Sequence, residues 1–384
     1  MRRASFRLTA TGYAVAGGVL GLLVITALTG YRELLVLVIA GAALCAVALV
    51  LPRIATPLLL ERRLTQSFVQ RGEEAEITLS ITTERATAPL RIIDTVIDQT
   101  VPIDLPGLRP LRPAQVTYRA IVRRRGVHQI GPLLEERRDP FALAVRSTSH
   151  PVYDELWVHP VIHSLRFTAE SFEDRMQNLA MRTISDDPLS EFQTLRDYVE
   201  GDDPRRIHWS STARTGRLVV RDLLELRRRE RFIVLETLDT ASTVNEFEDA
   251  VEIAASLAIS GLENQMEVVV RTRDPDATGR PTPVRSRLEL LELFTRVNRV
   301  PVERAVLPQR LLATPRLSAQ IIVVTGAQSP LIPYFCTSRL YRASVMLIRV
   351  HQRPRDLRPV PVATLDVRSA EDFVLAYDGR KRAA

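Results

Sequence analysis

Asp202, Asp203 and His208 lie close enough in sequence to share chemistry, in the run Gly201-Asp-Asp-Pro-Arg-Arg-Ile-His208. Two carboxylates and an imidazole can hold a metal ion or pass a proton. The same residues have a structural use. An Asp before Pro204 suits a helix N-cap, with Pro at the first helical position, where a missing N–H costs nothing; this is the preferred reading. Around them stand Glu191, Arg196, Arg205, Arg206, Arg214 and Arg217. Guanidinium–carboxylate pairs are planar and bidentate, so these charges suit a lock between neighbouring domains with Trp209 as its apolar anchor. The rival is an arginine-lined pocket for phosphate or for a partner's acidic surface. Other chemistry is thin. There is no Gly-x-x-x-x-Gly-Lys-Ser/Thr run, and the only lysine is Lys381, so the chain is no P-loop ATPase. None of the six histidines has zincin spacing, and Cys336 has no His near it in sequence. Cys336 is expected to be a buried structural thiol, and no catalytic residue is assigned.

The elements that must position these residues begin with two charge-free runs, Leu8 to Thr29 and Leu34 to Leu51. Each is long enough to cross a hydrocarbon layer of roughly 30 Å. Only Gly30-Tyr-Arg-Glu33 separates them, which predicts a transmembrane helical hairpin over residues 1–53. A cleaved signal peptide is the weaker alternative, because a second span follows at once. Arg2, Arg3 and Arg7 precede the first span; Arg53, Arg62 and Arg63 follow the second. Positive flanks stay on the cytoplasmic side, so the protein is expected in the inner or plasma membrane as a two-pass protein with its soluble domains in the cytoplasm. The net charge of +7 belongs to residues 1–150, which hold 19 arginines against 12 acidic residues. Attraction to anionic headgroups is sufficient reason for that excess, and no nucleic-acid partner is implied. Gly17-x-x-x-Gly21 would let two spans approach closely, within the hairpin or in a homodimer.

Residues 54–165 read as short strands. Glu76–Thr82 and Gln115–Val122 alternate polar and apolar residues, with turn residues between them. This pattern predicts an immunoglobulin-like β-sandwich. Residues 166–222 form a linker and a distinctive segment. In it Phe192, Leu195, Tyr198 and Val199 recur at helical spacing, a short helix runs from Trp209 to Arg214, and Gly216 closes it. From 223 to 384 strands alternate with helices: Phe232–Leu235, Phe247–Leu262, Met266–Val270, Leu288–Val297, Gln320–Val324 and Ser344–Arg349. Such alternation predicts a parallel sheet wrapped by helices.

Glu191 to Arg214 has the form Glu-Phe-x-x-Leu-Arg-x-Tyr-x-x-Gly-Asp-x-x-Arg-x-Ile-x-Trp-x-x-x-Ala-Arg. It resembles the signature of the bacterial membrane-protein family known as domain of unknown function 58. The fixed positions are Glu191, Phe192, Leu195, Arg196, Tyr198, Gly201, Asp202, Arg205, Ile207, Trp209, Ala213 and Arg214, and Arg206 is counted with them as a signature and interdomain residue. His208 stands where that family often carries Asp. The run Arg123 to Pro132, followed by Asp139-Pro-Phe-Ala142, resembles a second feature of the family, whose last position is commonly Gly. The resemblance implies a von Willebrand factor A-like C-terminal domain. Such domains often bind Mg²⁺ through an Asp-x-Ser-x-Ser loop. Here the loop is Asp239-Thr-Ala-Ser-Thr243, with Ala241 at a ligand position and no Asp after the strand ending at Val324. Asp239 and Thr243 are the metal candidates of a degenerate site, and no cofactor is expected.

By the same resemblance the partners are a MoxR-class AAA ATPase and a transglutaminase-like membrane protein, besides the lipid bilayer. The expected function is a membrane-anchored, non-enzymatic adaptor or assembly factor in cell-envelope maintenance. The rival is a metal-dependent hydrolase built on Asp202, Asp203 and His208.

Overall fold

The structure, a computed structural model, describes residues 4–53, 56–165, 195–199, 207–221, 230–277, 283–307, 311, 320–337, 345–352 and 359–378. They fall into two units, Met1–Val158 and His159–Ala384.

The first unit opens with a strand that the sequence reading did not anticipate, β1 (Ala4–Leu8). The chain then enters α1 (Ala10–Thr29), turns at Gly30 with φ 75°, and returns through α2 (Glu33–Val50). Both helices are long and apolar enough to cross a membrane by length and composition. They approach each other at Gly41, where a side chain would collide with Val19. Gly17 and Gly21, by contrast, have nothing within 4 Å of a would-be Cβ, so this pair is not what brings the two helices together.

Ten strands follow: β2 (Leu58–Leu64), β3 (Phe68–Gln70), β4 (Glu74–Thr83), β5 (Leu90–Val96), β6 (Gln99–Leu105), β7 (Ala114–Ile121), β8 (Gly126–Ile130), β9 (Leu133–Arg138), β10 (Ala144–His150) and β11 (Asp154–His159). They form sheets of order β1-β10-β9-β5-β6, β2-β4-β7 and β3-β11-β8. Inward residues alternate along β4, where Ala75, Ile77, Leu79 and Ile81 are buried. Leu58, Leu60, Leu79 and Ile81 pack on Leu90, Ile92, Ile103, Leu105 and Leu133, so two sheets face each other across an apolar core.

Strand β10 receives both ends of the helical hairpin. β1 pairs antiparallel along it, from Ala4 opposite Thr148 to Leu8 opposite Ala144. Arg146 of β10 donates to the carbonyls of Pro52 (3.2 Å) and Arg53 (2.8 Å), just past α2. The Arg53 guanidinium lies 4.6 Å from the Phe6 ring centre, and its Nη1 caps the α2 carbonyl of Leu49 at 2.9 Å. The entry to α1 is equally fixed. The Thr9 hydroxyl accepts from Gly12 N (3.0 Å) and donates to the Ala142 carbonyl (2.7 Å). A side chain at position 12 would collide with the Leu143 carbonyl, so only glycine permits this approach. The turn that receives Thr9 is held by Asp139, whose carboxylate accepts from Phe141 N (2.9 Å) and Ala144 N (2.6 Å). Ala142 in that turn has φ 56°, in the left-handed region that glycine adopts most readily.

One sequence expectation is corrected in this unit. Arg62 was counted among the positive flanks of the second span, yet its side chain is wholly buried in the sandwich. Its Nε and Nη2 grip Asp94 at 3.0 and 2.6 Å, and its Nη1 reaches the Ile130 carbonyl (3.2 Å) and Asp154 (3.1 Å). The Tyr118 hydroxyl also donates to Asp94. Burial, and then the charge and hydrogen bond of Asp94, push the Tyr118 phenol well above its ordinary range.

In the second unit, β12 (Leu195–Asp197) pairs antiparallel with β13 (Val219–Arg221), and α3 (Trp209–Thr215) lies between them in sequence. The remainder is β14 (Glu230–Leu235), α4 (Val244–Glu263), β15 (Glu267–Thr272), α5 (Arg287–Arg296), β16 (Gln320–Gly326), α6 (Leu331–Thr337), β17 (Val345–Val350), β18 (Ala363–Val367) and α7 (Ala370–Tyr377). The sheet order is β15-β14-β16-β17-β18, every named pair parallel. One face of the sheet packs on Phe247, Leu257, Phe294 and Phe373; the other packs on Leu311, Leu331 and Phe335. Strands covered on both faces carry near-continuous apolar runs, as Ile321–Val324 in β16 and Val345–Ile348 in β17 do.

Replacing Arg62 with Met should strand the buried Asp94 carboxylate and lower the unfolding free energy by about 3–5 kcal/mol. Denaturant unfolding of the full chain in detergent, followed by tryptophan fluorescence, measures this. Pairing R62M with Asp94→Leu should recover most of the loss.

Candidate functional site

Two places in the second unit hold the residues singled out for chemistry. The first is the signature segment. Leu195 and Arg196 lie in β12, and Tyr198 N donates to the Leu218 carbonyl at 2.8 Å. Helical spacing predicted a helix through Leu195 and Tyr198. Four residues of suitable spacing are outweighed here by the antiparallel ladder of Leu195–Asp197 with Val219–Arg221. Ile207 continues that ladder through a bridge to Val220. Glu191, Phe192, Gly201, Asp202, Asp203, Arg205 and Arg206 lie outside the described residues.

His208 acts as the N-cap of α3. Its Nδ1 accepts from the backbone N–H of Ser211 at 3.2 Å, the bond that a capping Asp or Asn carboxylate or amide would accept. An aspartate at this position would make the same bond. Histidine and aspartate can therefore serve the same capping purpose at this position. The C-terminus closes at Gly216, φ 68°, whose N–H bonds the Thr212 carbonyl, as expected. Ala213 and Arg214 are exposed, and Trp209 is 67% exposed. Trp209 is thus not the buried apolar anchor the sequence suggested. It stands at the first position of a seven-residue helix whose buried residue is Ser211.

The second place is the carboxyl edge of the parallel sheet. Open sheets of this kind take ligands where connections leave neighbouring strands in opposite directions, here beyond β14 and β16. Glu236, 2% exposed, directly follows β14. It accepts from Leu238 N (3.0 Å) and from the Ser329 hydroxyl (2.6 Å), and lies 3.6 Å from Arg273. Asp274, beyond β15, accepts from Asp276 N (3.0 Å) and Asn298 N (2.9 Å). Thr243 starts α4 in a reciprocal box with Glu246: Glu246 N donates to the Thr243 hydroxyl at 3.3 Å, and Thr243 N donates to the Glu246 carboxylate at 2.9 Å. Each buried carboxylate at this edge is therefore engaged by backbone N–H groups.

The Asp239–Thr243 loop has its own cation. Arg299 donates from one nitrogen to the carbonyls of Asp239 and Ser242, the latter at 2.7 Å. The Asp239 side chain is exposed. Gly326 packs so tightly that a side chain there would collide with the Ala241 carbonyl. Ala241, 3% exposed, offers no side-chain oxygen where the metal loop needs one. A divalent ion would also meet the guanidinium that already bridges the loop carbonyls, so this donor set does not fit the Mg²⁺ site that the resemblance implied. Arg299 was not foreseen. It is 60 residues from Asp239, and no local pattern marks it.

His208→Ala should remove the cap and destabilise α3 by about 1 kcal/mol, raising amide exchange at Ser211 and Thr212 roughly fivefold. His208→Asp should leave exchange near the parent rate. Equal acceleration in both variants would show that capping is not what this position does.

Residues 194–301 match the family model described as Protein of unknown function DUF58. No curated protein matches the chain. Among solved structures the chain is similar to the CARDB domain of the PF1109 protein from Pyrococcus furiosus, at 10% identity over 27% of this chain and 93% of that one, with a TM-score of 0.20. It is also similar to a β-glucosidase from Listeria innocua, at 12% identity over 27% of this chain and 16% of that enzyme, TM-score 0.19. A Niemann-Pick type C2 protein from Japanese carpenter ant is similar at 10% identity over 27% of this chain and 89% of that one, TM-score 0.15. At these values the fold description rests on the sheets themselves. Signature helix and carboxyl-edge loop both fall within the matched segment, and the chain carries the DUF58 region over residues 194–301.

Proposed function

We propose that the chain is a membrane-anchored, non-enzymatic adaptor or assembly factor. Its apolar hairpin crosses the inner or plasma membrane of a bacterium, and its sandwich and von Willebrand factor A-like unit lie on the cytoplasmic side. There it works with a MoxR-class AAA ATPase in cell-envelope maintenance, with a transglutaminase-like membrane protein as a further companion. A second copy could pack along Gly17 and Gly21, whose sides are open within this chain.

The observation that carries the reading is the double attachment of the hairpin to β10. A pair of spans flanked on both ends by one sheet makes a stiff mount, which suits a protein that holds something at the membrane. The arginines at both flanks favour the cytoplasmic side. Support for a docking role at the sheet's carboxyl edge comes from the Asp239 loop. Its backbone is braced by Arg299 while the Asp239 and Thr240 side chains face solvent, so the loop offers a rigid surface to a partner.

Capture from solubilised membranes with the tagged full chain should recover the AAA ATPase. Asp239→Arg combined with Thr240→Arg should reduce that recovery at least tenfold while the chain stays in the membrane. Equal recovery would remove the loop as the docking surface.

A further inference from the structure

A cavity of about 790 Å³ opens at the foot of the sandwich, directly beside the end of α2. Its apolar wall includes Leu51, Pro52 and Leu90, and its polar wall includes Arg91, Asp104 and Arg138. Leu51 and Pro52 are the residues at which the second apolar helix ends and the sandwich begins. If α2 crosses the bilayer, the cavity is level with the headgroups.

The arginines carry unused capacity. Arg91 gives Nε and Nη2 to the two oxygens of Asp104, at 2.6 and 2.9 Å. This leaves its remaining N–H groups for another acceptor, since a guanidinium has five. Among the described residues Arg138 makes a loose contact, 3.9 Å, from its guanidinium to Glu136. Its side chain is half exposed and that of Arg91 is one-third exposed. Two planar forks of this kind complement the oxygens of a phosphodiester. Asp104 and Glu136, on the same wall, add acceptors for hydroxyl or ammonium groups beyond the phosphate. On the lipid side, Val47, Val50 and Leu51 occupy one helical face and are 42%, 52% and 44% exposed. Of these, Leu51 also lines the cavity, so this exposed face meets the cavity's apolar wall.

We propose that this cavity binds the headgroup of a membrane phospholipid. The phosphate is held by Arg91 and Arg138, and the acyl chains run along the Val47–Leu51 face of α2. The proposal rests on the reading of α1 and α2 as membrane spans. It concerns a site apart from the carboxyl edge of the second unit.

The test uses the full chain. Carbonate washing of membranes comes first, because release of the protein would defeat the membrane reading and the lipid site with it. With the protein retained, native mass spectrometry of the detergent-purified chain counts bound phospholipid. The unaltered chain and an Arg63→Gln control, distant in role and exposed, should each retain at least one lipid. Arg91→Gln with Arg138→Gln should lower occupancy at least tenfold. Ala88→Trp, which fills the cavity from an exposed loop without altering charge, should do the same. Unchanged occupancy in both variants, or none in the parent, would overturn the proposal while leaving the spans in place. Thermal stabilisation by inorganic phosphate with no effect of phosphatidylglycerol would also overturn it, as the occupant would then be a free anion.

Discussion

Strand β10 is the element on which the first unit depends. It pairs with β9 on one side and with the N-terminal strand β1 on the other, and its Arg146 holds the backbone at the end of α2. An apolar hairpin of about forty residues would otherwise be free to pivot on two short connections. Pairing β1 with β10 removes that freedom on the entry side, and Arg146 with the Arg53–Phe6 stack removes it on the exit side. Gly12 and the Asp139 turn exist to let the start of α1 approach the sheet this closely. Both flanks of the hairpin consequently meet one sheet.

Inside the sandwich and at the edge of the parallel sheet, charge is used in one manner. Arg62 with Asp94, Glu236 with Leu238 N and Ser329, and Arg299 with two loop carbonyls are all buried or partly buried groups whose bonds fix backbone. Such groups cost desolvation, and Arg62 and Glu236 hold their place because each is met by several hydrogen bonds. The result is a braced framework whose exposed acidic and hydroxyl side chains, Asp239 and Thr240, are presented rather than consumed. The second unit's sheet order puts that loop beside the point where β14 and β16 part, the place where open sheets meet their ligands.

Much of this was legible in the sequence where a long, uniform pattern existed. Two charge-free runs marked the hairpin, alternation along Glu76–Thr82 marked a sandwich strand, and the apolar runs within Gln320–Val324 and Ser344–Arg349 marked central parallel strands. What escaped depended on distant partners or on very few residues. β1 alternates Ser5, Arg7 against Phe6, Leu8, but five residues beside a span are a faint signal, and its partner lies some 140 residues away. Arg62 sits near a span in sequence, and only the fold brings Asp94 to it. Leu195–Asp197 has helical neighbours by spacing, and pairs as a strand because Val219–Arg221 is there to receive it. The last strand and helix, Ala363–Val367 and Ala370–Tyr377, were also missed. Ser369 followed three residues later by Asp372 was an available cap signature, and Ser369 does accept from Asp372 N at 3.2 Å. In the candidate site, Gly216 as a helix stop was readable and His208 as its start was not, because histidine is a rare cap.

Cross-linking β1 to β10 tests the clamp most directly. Ser5 and Ser147 are opposite one another in the ladder, and neighbouring antiparallel residues fall within the separation of about 4.4–6.8 Å that a disulfide spans. Full-length protein carrying Ser5→Cys and Ser147→Cys, oxidised mildly in its own membranes, should form an intramolecular disulfide that neither single variant forms. It should also leave the chain in the membrane. Failure to form that bond, or its appearance only between two chains, would mean that the N-terminal strand is not zipped onto β10 and that the hairpin is not mounted as described.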